Sequence, residues 1–228
     1  MAKPTIAAIV PLLNECRVLP EMIKTVRQLG VDELIIVDGG SSDGSRDLLE
    51  KSDLFWISSD AGRARQMNAG AKQCDSDILL FIHADTSLSS SDVEVVRSVM
   101  EAGHYVAGRF DVTLSGRHPA LAVIAWMMNL RSRLTRISTG DQCQFVRRSL
   151  FEKIGGFPEL PLMEDVALSR RLKSEGKIAS LRQKVVTSSR RWEQFGIYKT
   201  VLLMWKIRLL FWLGKPADEL AAIYRASR

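Results

Sequence analysis

Cysteine is scarce in this chain, long apolar runs are missing, and each shortage excludes something. The three cysteines, Cys16, Cys74 and Cys143, lie far apart. An odd, scattered set does not make a disulfide framework and suits a reducing cytoplasm. Without a C-x-x-C pair, a structural zinc site is not expected. Met1-Ala2-Lys3-Pro4 runs straight into a strand-like segment, with no basic stretch, apolar run and small-residue cleavage site, so no signal peptide is expected. No G-x-G-x-x-G follows that first strand, which argues against an NAD-linked dehydrogenase. What is present is an ordinary globular composition: 46% hydrophobic and 25% charged residues over 228 positions suffice for one domain, 1–228, with a substantial core. No repeat, low-complexity tract or linker divides it.

The first half alternates strand and helix patterns. Short β-rich runs at Thr5–Val10 (ended by Pro11), Glu33–Val37, Leu54–Ile57 and Ile78–Ile82 are separated by helical spacings over Val18–Leu29, Ser45–Lys51 and Arg63–Cys74. That rhythm implies an α/β fold, a mostly parallel sheet with helices on both faces. The second half is less regular. Helices are expected at Ser91–Met100, Pro119–Leu130, Glu164–Ser174 (with Gly176 as a left-handed cap), Ile197–Leu213 and Pro216–Arg225. Strands are expected at Tyr105–Leu114, Gln142–Val146 and Lys184–Thr187.

In such a sheet, ligands bind beyond the carboxyl ends of the strands, and here those ends collect acids. Strand one leads to Pro11-Leu12-Leu13-Asn14-Glu15, strand two to Asp38-Gly39-Gly40-Ser41-Ser42-Asp43-Gly44-Ser45, and strand four to His83-Ala84-Asp85-Thr86. Carboxylates meeting at one edge repel unless a cation or donor groups compensate. Asp38 can accept hydrogen bonds from a base or ribose, and Asp43 or Ser45 can cap the next helix; a plain strand–helix turn would use the same residues. Arg63, near a helix start, could pair with a phosphate or the base, or be a surface arginine. Asp85 is a hard oxygen ligand suited to Mg²⁺ or Mn²⁺. His83 is read as a contact or core histidine rather than a ligand. Glu164-Asp165 sits where a helix begins, which also suits the helix dipole. Gly140-Asp141-Gln142 could help place donor sugar or acceptor, or be a turn before a strand.

Taken in order, Val10-Pro11-Leu12-Leu13-Asn14-Glu15, Val37 to Ser45, His83-Ala84-Asp85 and Met163-Glu164-Asp165 resemble the family 2 glycosyltransferases of GT-A fold, and within them the small stand-alone bacterial transferases with H-A-D-T in place of D-x-D. Gly62-Arg63-Ala64 to Asn68-Ala69-Gly70 and Gly140-Asp141-Gln142 to Arg148 fit that subgroup. The resemblance covers about the first 175 residues well. It implies a nucleotide-binding half (1–115), an acceptor half (116–190) and a helical tail (191–228). It implies that Pro11, Glu15, Asp38 and Arg63 contact the nucleotide, with Asn14, Gly40, Asn68, His83, Ala84 and Asp141 completing the nucleotide-sugar site. Asp85 would carry Mg²⁺ or Mn²⁺, Asp165 would be the catalytic base, and Glu164 its companion. The family's first metal-site acid is His83 here, which removes one carboxylate ligand.

The expected reaction is transfer of a sugar from a nucleotide diphosphate, a UDP-sugar being favoured, to a hydroxyl or lipid-phosphate acceptor, with inversion because one base and no opposing nucleophile are evident. The net charge is +6, and between Arg182 and Lys215 eight basic residues face a single acid, Glu193. With Trp126-Met127-Met128, the stretch 191–213 could meet a membrane surface or another subunit as a homodimer; otherwise it is core or a solvated basic face. No nucleic acid partner is expected, and the protein is placed in the cytoplasm or on the inner face of the membrane. Two rivals stand: a sugar-1-phosphate nucleotidyltransferase, which would want a glycine-rich loop after strand one, and a non-catalytic basic lipid- or nucleic-acid-binding protein, which would leave Asp38, Asp85 and Asp165 without purpose.

Overall fold

The computed structural model describes residues 3–227. Met1 and Ala2, at the start of the segment read as leading straight into a strand, and Arg228, the last residue of the 191–228 tail, lie outside the described residues. Strands β1 (Ile6–Leu12), β2 (Glu33–Asp38), β3 (Trp56–Ser58) and β4 (Ile78–Phe81) alternate with helices α1 (Leu19–Arg27), α2 (Ser45–Glu50) and α3 (Arg63–Ala71). They pair in parallel. After β4 come β5 (Thr86–Ser87), α4 (Ser90–Glu101), β6 (Ala107–Leu114), α5 (Pro119–Thr135), a 3₁₀ turn (Gly140–Gln142), β7 (Phe145–Arg147), α6 (Arg148–Lys153), α7 (Glu164–Glu175), β8 (Ile178–Thr187), α8 (Arg190–Phe195), α9 (Ile197–Trp212) and α10 (Ala217–Ala226). The sheet order is β3-β2-β1-β4-β7-β6-β8-β5. Its β7 runs antiparallel to both β4 and β6, while β6 and β8 are parallel.

β1 explains the two-layer packing. All seven of its residues are buried, as in a central strand covered on both faces. Successive side chains alternate, so Ile6, Ala8, Val10 and Leu12 join Leu19, Met22 and Val26 of α1 and Val93, Val96 and Met100 of α4 in one core. Ala7 and Ile9 join Ala64, Met67 and Ala71 of α3 and Leu168 and Leu172 of α7 in the other. Gly70 is the point of closest approach: a Cβ there would meet Ile9 Cγ2 at 2.5 Å and Val37 Cγ2 at 3.0 Å.

Several boundaries differ from the sequence reading. β1 does not stop before Pro11; it runs to Leu12, with Pro11 in register with Val37. Ile9 accepts from Ile82 on the β4 side, and alternation turns the position of Pro11 the same way, beyond the last β4 pair (Ile9 with Phe81). The missing N–H therefore falls where no ladder partner is needed. Gly176 is extended (φ 167°, ψ −164°), not left-handed, because the chain passes directly into β8. The strand expected at Gln142–Val146 begins only at Phe145, after the 3₁₀ turn. β8 is ten residues long, not the short Lys184–Thr187.

Buried polar groups fix α5 on the sheet. The Asn129 side chain accepts from Val112 N (2.8 Å) and donates to Val112 O (3.0 Å), beside the irregularity between Arg109 and Asp111. Arg109 pairs with Asp111, which also holds Arg133 of α5 at 2.6 Å. Replacing Gly70 by Val should lower stability by about 3 kcal/mol, overpacking outweighing any gain in helix propensity. Urea unfolding checks this, and an unchanged midpoint would contradict the packing of α3 on β1.

Candidate active site

Two loops at the carboxyl ends of β1 and β2 are stitched together by short polar side chains. Asn14, held at φ 55°, donates its amide N–H to Ser41 Oγ (2.9 Å) and accepts on Oδ1 from Ser42 N (2.9 Å). Cys16 N donates to Asp43 Oδ2 (2.9 Å), whose other oxygen takes the Ser45 amide (3.0 Å). The cap position of α2 is Gly44, without a side-chain cap; Asp43 serves the helix start from one residue earlier. Asp38 is fully buried and accepts from the amides of Gly40 (3.2 Å) and Ser41 (3.1 Å), so here it shapes the loop from within. Gln66 Nε2 donates to both Leu12 O (2.7 Å) and Val37 O (2.8 Å), joining the two strand ends from below.

Glu15 reaches across to the far end of the chain. Arg190, the first residue of α8, donates to both its carboxylate oxygens at 2.9 and 3.1 Å. The neighbouring Ser188 amide donates to Asp85 O (3.1 Å). Asp85 thus lies against the end of β8, where Arg63, Glu15, Arg190 and Asp141 all act on its charge. Burial is the largest influence and raises the Asp85 carboxyl above its ordinary value, against the pull of Arg63. Among the described residues this carboxylate makes no side-chain hydrogen bond. His83 is held neutral, at about 3, first by burial and then by the Arg63 charge. Its ring lies over Gly140, where an added Cβ would come within 2.3 Å of Nε2.

Through Gly140 the first acidic turn meets the second. The Gly140 amide donates to Asp165 Oδ2 at 2.8 Å. Two glutamines, which the sequence did not single out for this role, hold the loop. Gln142 donates to Ser132 Oγ (3.0 Å) and Gln144 to Ser138 and Ser169 (2.8 Å each). Asp141 faces the charges of Asp165, Arg208 and Arg131; burial, the largest influence, raises its pKa, and its Oδ1 is buried without a partner. Arg131 of α5 is likewise enclosed: burial first, then Arg208, pulls its pKa down to about 10, and its Nη2 has no hydrogen-bond partner. Glu164 is 5% exposed, and its carboxyl is pushed up to about 7 by burial and then by the Asp165 charge, against the pull of Arg63.

The structure therefore gathers Glu15, Arg63, His83, Asp85, Gly140, Asp141, Glu164 and Asp165 at one edge, joined by Arg190, Arg131 and Arg208. Pro11 and Asp38, at the ends of β1 and β2, and Asn14 and Gly40, in the loops that follow them, flank it. Asn68 is differently employed: its amide is spent on the main chain of Phe157, accepting at 2.9 Å and donating at 2.8 Å. Among the described residues no group of three or more His, Cys, Asp or Glu side chains could by itself hold a metal ion. Arg190 and Arg131 escaped the sequence reading of the site because a lone arginine has no motif; only an acid in its environment reveals it.

The family model described as "Glycosyl transferase family 2" matches residues 7–155. The O-antigen chain rhamnosyltransferase RfbN of Salmonella typhimurium is 26% identical over 225 residues, 85% of this chain and 70% of that protein. The undecaprenyl-phosphate 4-deoxy-4-formamido-L-arabinose transferase of Proteus mirabilis is 28% identical over 116 residues, 45% of this chain and 36% of the other. Residues 1–349 of S. aureus TarS, in complex with UDP-GlcNAc, superpose with a TM-score of 0.65 at 20% identity, over 81% of this chain and 58% of that one. The mannosyltransferase PcManGT of Pyrobaculum calidifontis, in complex with GDP-Man and Mn²⁺, gives 0.61 at 18% identity, over 82% and 57%. The chain thus spans little more than half the length of these two structures, and at such identity the likeness is one of fold.

Because folding favours the protonated form of Glu164, its contribution to stability is full below its ordinary 4.5 and is lost as pH rises through about 7. Glu164→Gln should therefore raise the unfolding free energy at pH 8 by about 2 kcal/mol, seen as a higher melting temperature, and much less at pH 5. Equal shifts at both pH values would contradict a buried, charge-crowded Glu164.

Proposed function

The chain belongs to glycosyl transferase family 2 and has its GT-A fold, and from that premise we propose that it moves a sugar from a nucleotide diphosphate, a UDP-sugar first, to an acceptor hydroxyl or lipid phosphate, with inversion. The observation that carries this reading is the meeting of Asp85, Asp141 and Asp165 at one strand-end edge, Asp165 being held there by the Gly140 amide, with Arg63 and Arg190 acting on Asp85. The ends of β1 and β2 and the loops after them, with Pro11, Asn14, Glu15, Asp38 and Gly40, form the nucleotide wall. Residues 1–115 serve the donor and 116–190 the acceptor.

A divalent cation fits this donor set. A mostly buried carboxylate with no hydrogen bond, as at Asp85, is poorly compensated, and a hard cation supplies what it lacks. Asp85 would hold Mg²⁺ or Mn²⁺ together with phosphate oxygens, since the protein presents too few ligands of its own. When bound, such an ion neutralises charge developing on a leaving diphosphate. Arg63 and Arg190 bring fixed positive charge to the same place. His83, neutral, keeps Gly140 in position without adding charge.

Asp165 is the base. Its Oδ2 is oriented by the Gly140 amide, and a carboxylate so placed accepts the acceptor's proton late, as the new bond forms, for a gain of about 10²–10⁴-fold. Glu164, half-protonated near neutrality, limits the negative charge beside it. Arg131, whose Nη2 is unpartnered next to Asp141, favours an acceptor that carries an anionic group. Family membership sets aside the nucleotidyltransferase and the non-catalytic binding protein.

Asp165→Asn should retain donor-induced thermal stabilisation while transfer falls at least 10²-fold; wild-type transfer would refute the base. Asp85→Asn should abolish the part of UDP stabilisation that depends on Mn²⁺. Melting curves with UDP or GDP, with and without Mn²⁺, check it, and a metal-independent shift unchanged by the substitution would remove Asp85 from that role.

A further inference from the structure

We propose that the outer faces of α5 and α9 dock on the surface of an anionic lipid bilayer. Among the described residues fourteen large hydrophobic side chains are exposed, and all but Leu13, Phe55 and Val186 lie on α5, on α9 or at Leu213 immediately after it. Single exposed apolar residues are ordinary, but a concentration of this kind marks a surface that something covers.

The placement on each helix is regular. On α5, Val123, Trp126, Leu130 and Leu134 recur at helical spacing on the side opposite Leu121, Ala125 and Ser132, which are buried. On α9, Tyr198, Leu202, Trp205, Leu209 and Trp212 form a second stripe, opposite the buried Thr200 and Ile207. The two helices are neighbours, sharing the cluster of Ile124 and Ala125 with Ile197 and Val201. Each is therefore apolar on two sides, one spent on the protein and one facing out. Three of the chain's five tryptophans stand on the outer sides, Trp126 at 62%, Trp205 at 55% and Trp212 at 71% exposure; indole is at home at the headgroup boundary of a membrane.

Charge selects the occupant. Neither helix contains an acidic residue. Lys199 and Lys206 are exposed and, at about 100° per residue, flank the α9 stripe on one side, where lysine can keep its stem on apolar surface and its ammonium in the headgroups. A second copy applied to the same face would set these cations against their own kind; anionic lipid meets them with opposite charge. No helix among the described residues is long and apolar enough to cross a membrane, so the contact is one of lying on the surface. The inner sides of the same two helices carry Arg131 and Arg208, which act on Asp141. Docking would thus hold the acceptor side of the proposed active site at the membrane. The surface stands without the transfer reading, and only its purpose rests on it.

The test is co-sedimentation of the full chain with vesicles of phosphatidylcholine alone and of phosphatidylcholine with phosphatidylglycerol, with tryptophan emission as a second readout. Wild type should pellet with the anionic vesicles and shift its emission to the blue. Lys199→Glu with Lys206→Glu should weaken that binding about tenfold or more, and Trp205→Ser with Trp212→Ser should weaken it to a similar degree, both variants keeping the wild-type melting temperature and donor-induced stabilisation in the absence of lipid. Wild type remaining in the supernatant with both vesicle types would overturn the proposal. So would a lipid-free dimer that Trp205→Ser with Trp212→Ser converts to monomer, which would make a second copy the occupant. Vesicle binding without any transfer would leave this surface standing and sink only the proposed reaction.

Discussion

Negative charge withdrawn from water and left short of hydrogen bonds is the constraint around which this molecule is arranged. Asp85 has no side-chain partner among the described residues, Asp141 has a buried oxygen with none, and Glu164 is forced toward neutrality first by burial and then by the acid beside it. Such groups would relax into solvent if they could. They are prevented by main chain held rigidly on either side: the β1–β2 loops locked by Asn14 and Asp43, and the 138–144 segment locked by Gln142 and Gln144. The stability given up at these acids is the ordinary signature of a site prepared for a ligand.

The supporting network is itself polar and buried. Asn129 imitates a strand by pairing with both main-chain groups of Val112, and Arg109 and Arg133 share the carboxylate of Asp111 beside it. Removing one partner from such a set leaves the others desolvated and unpaired, whereas the intact set fixes α5 in a single position. That position matters, because α5 carries Arg131 to Asp141 on its inner side while its outer side remains apolar.

How much of this could be read in the sequence follows from the range of the forces involved. β1 and β4 were legible because a strand buried on both faces must be apolar throughout, as Ile6–Leu12 and Ile78–Phe81 are. Asp85 and Asp165 stood out because acids at strand ends and helix starts have local patterns, whereas Asp141, in a turn, was assigned to the site only through the family resemblance. β7 was misplaced because Gly140–Gln142 takes a 3₁₀ turn first, and its antiparallel direction depends on β4 and β6, remote partners that leave no local trace. α6 and α8, six residues each, were not read; α2, equally short, was, because Asp43-Gly44-Ser45 marks its start. Asn68 looked like a ligand contact, and the structure spends it on Phe157; an amide says nothing in sequence about whether its partner is a sugar or a main chain. The outward stripe of α9 was obscured because a helix apolar on two opposite sides has little net amphipathic signal.

The pair between Glu15 and Arg190 joins positions 175 residues apart. During synthesis the strands from β1 to β4 emerge before α8, so the clasp over their edge must wait for α8 to leave the ribosome. The loops after β1 and β2 therefore stand well before the clasp that reaches over them can close.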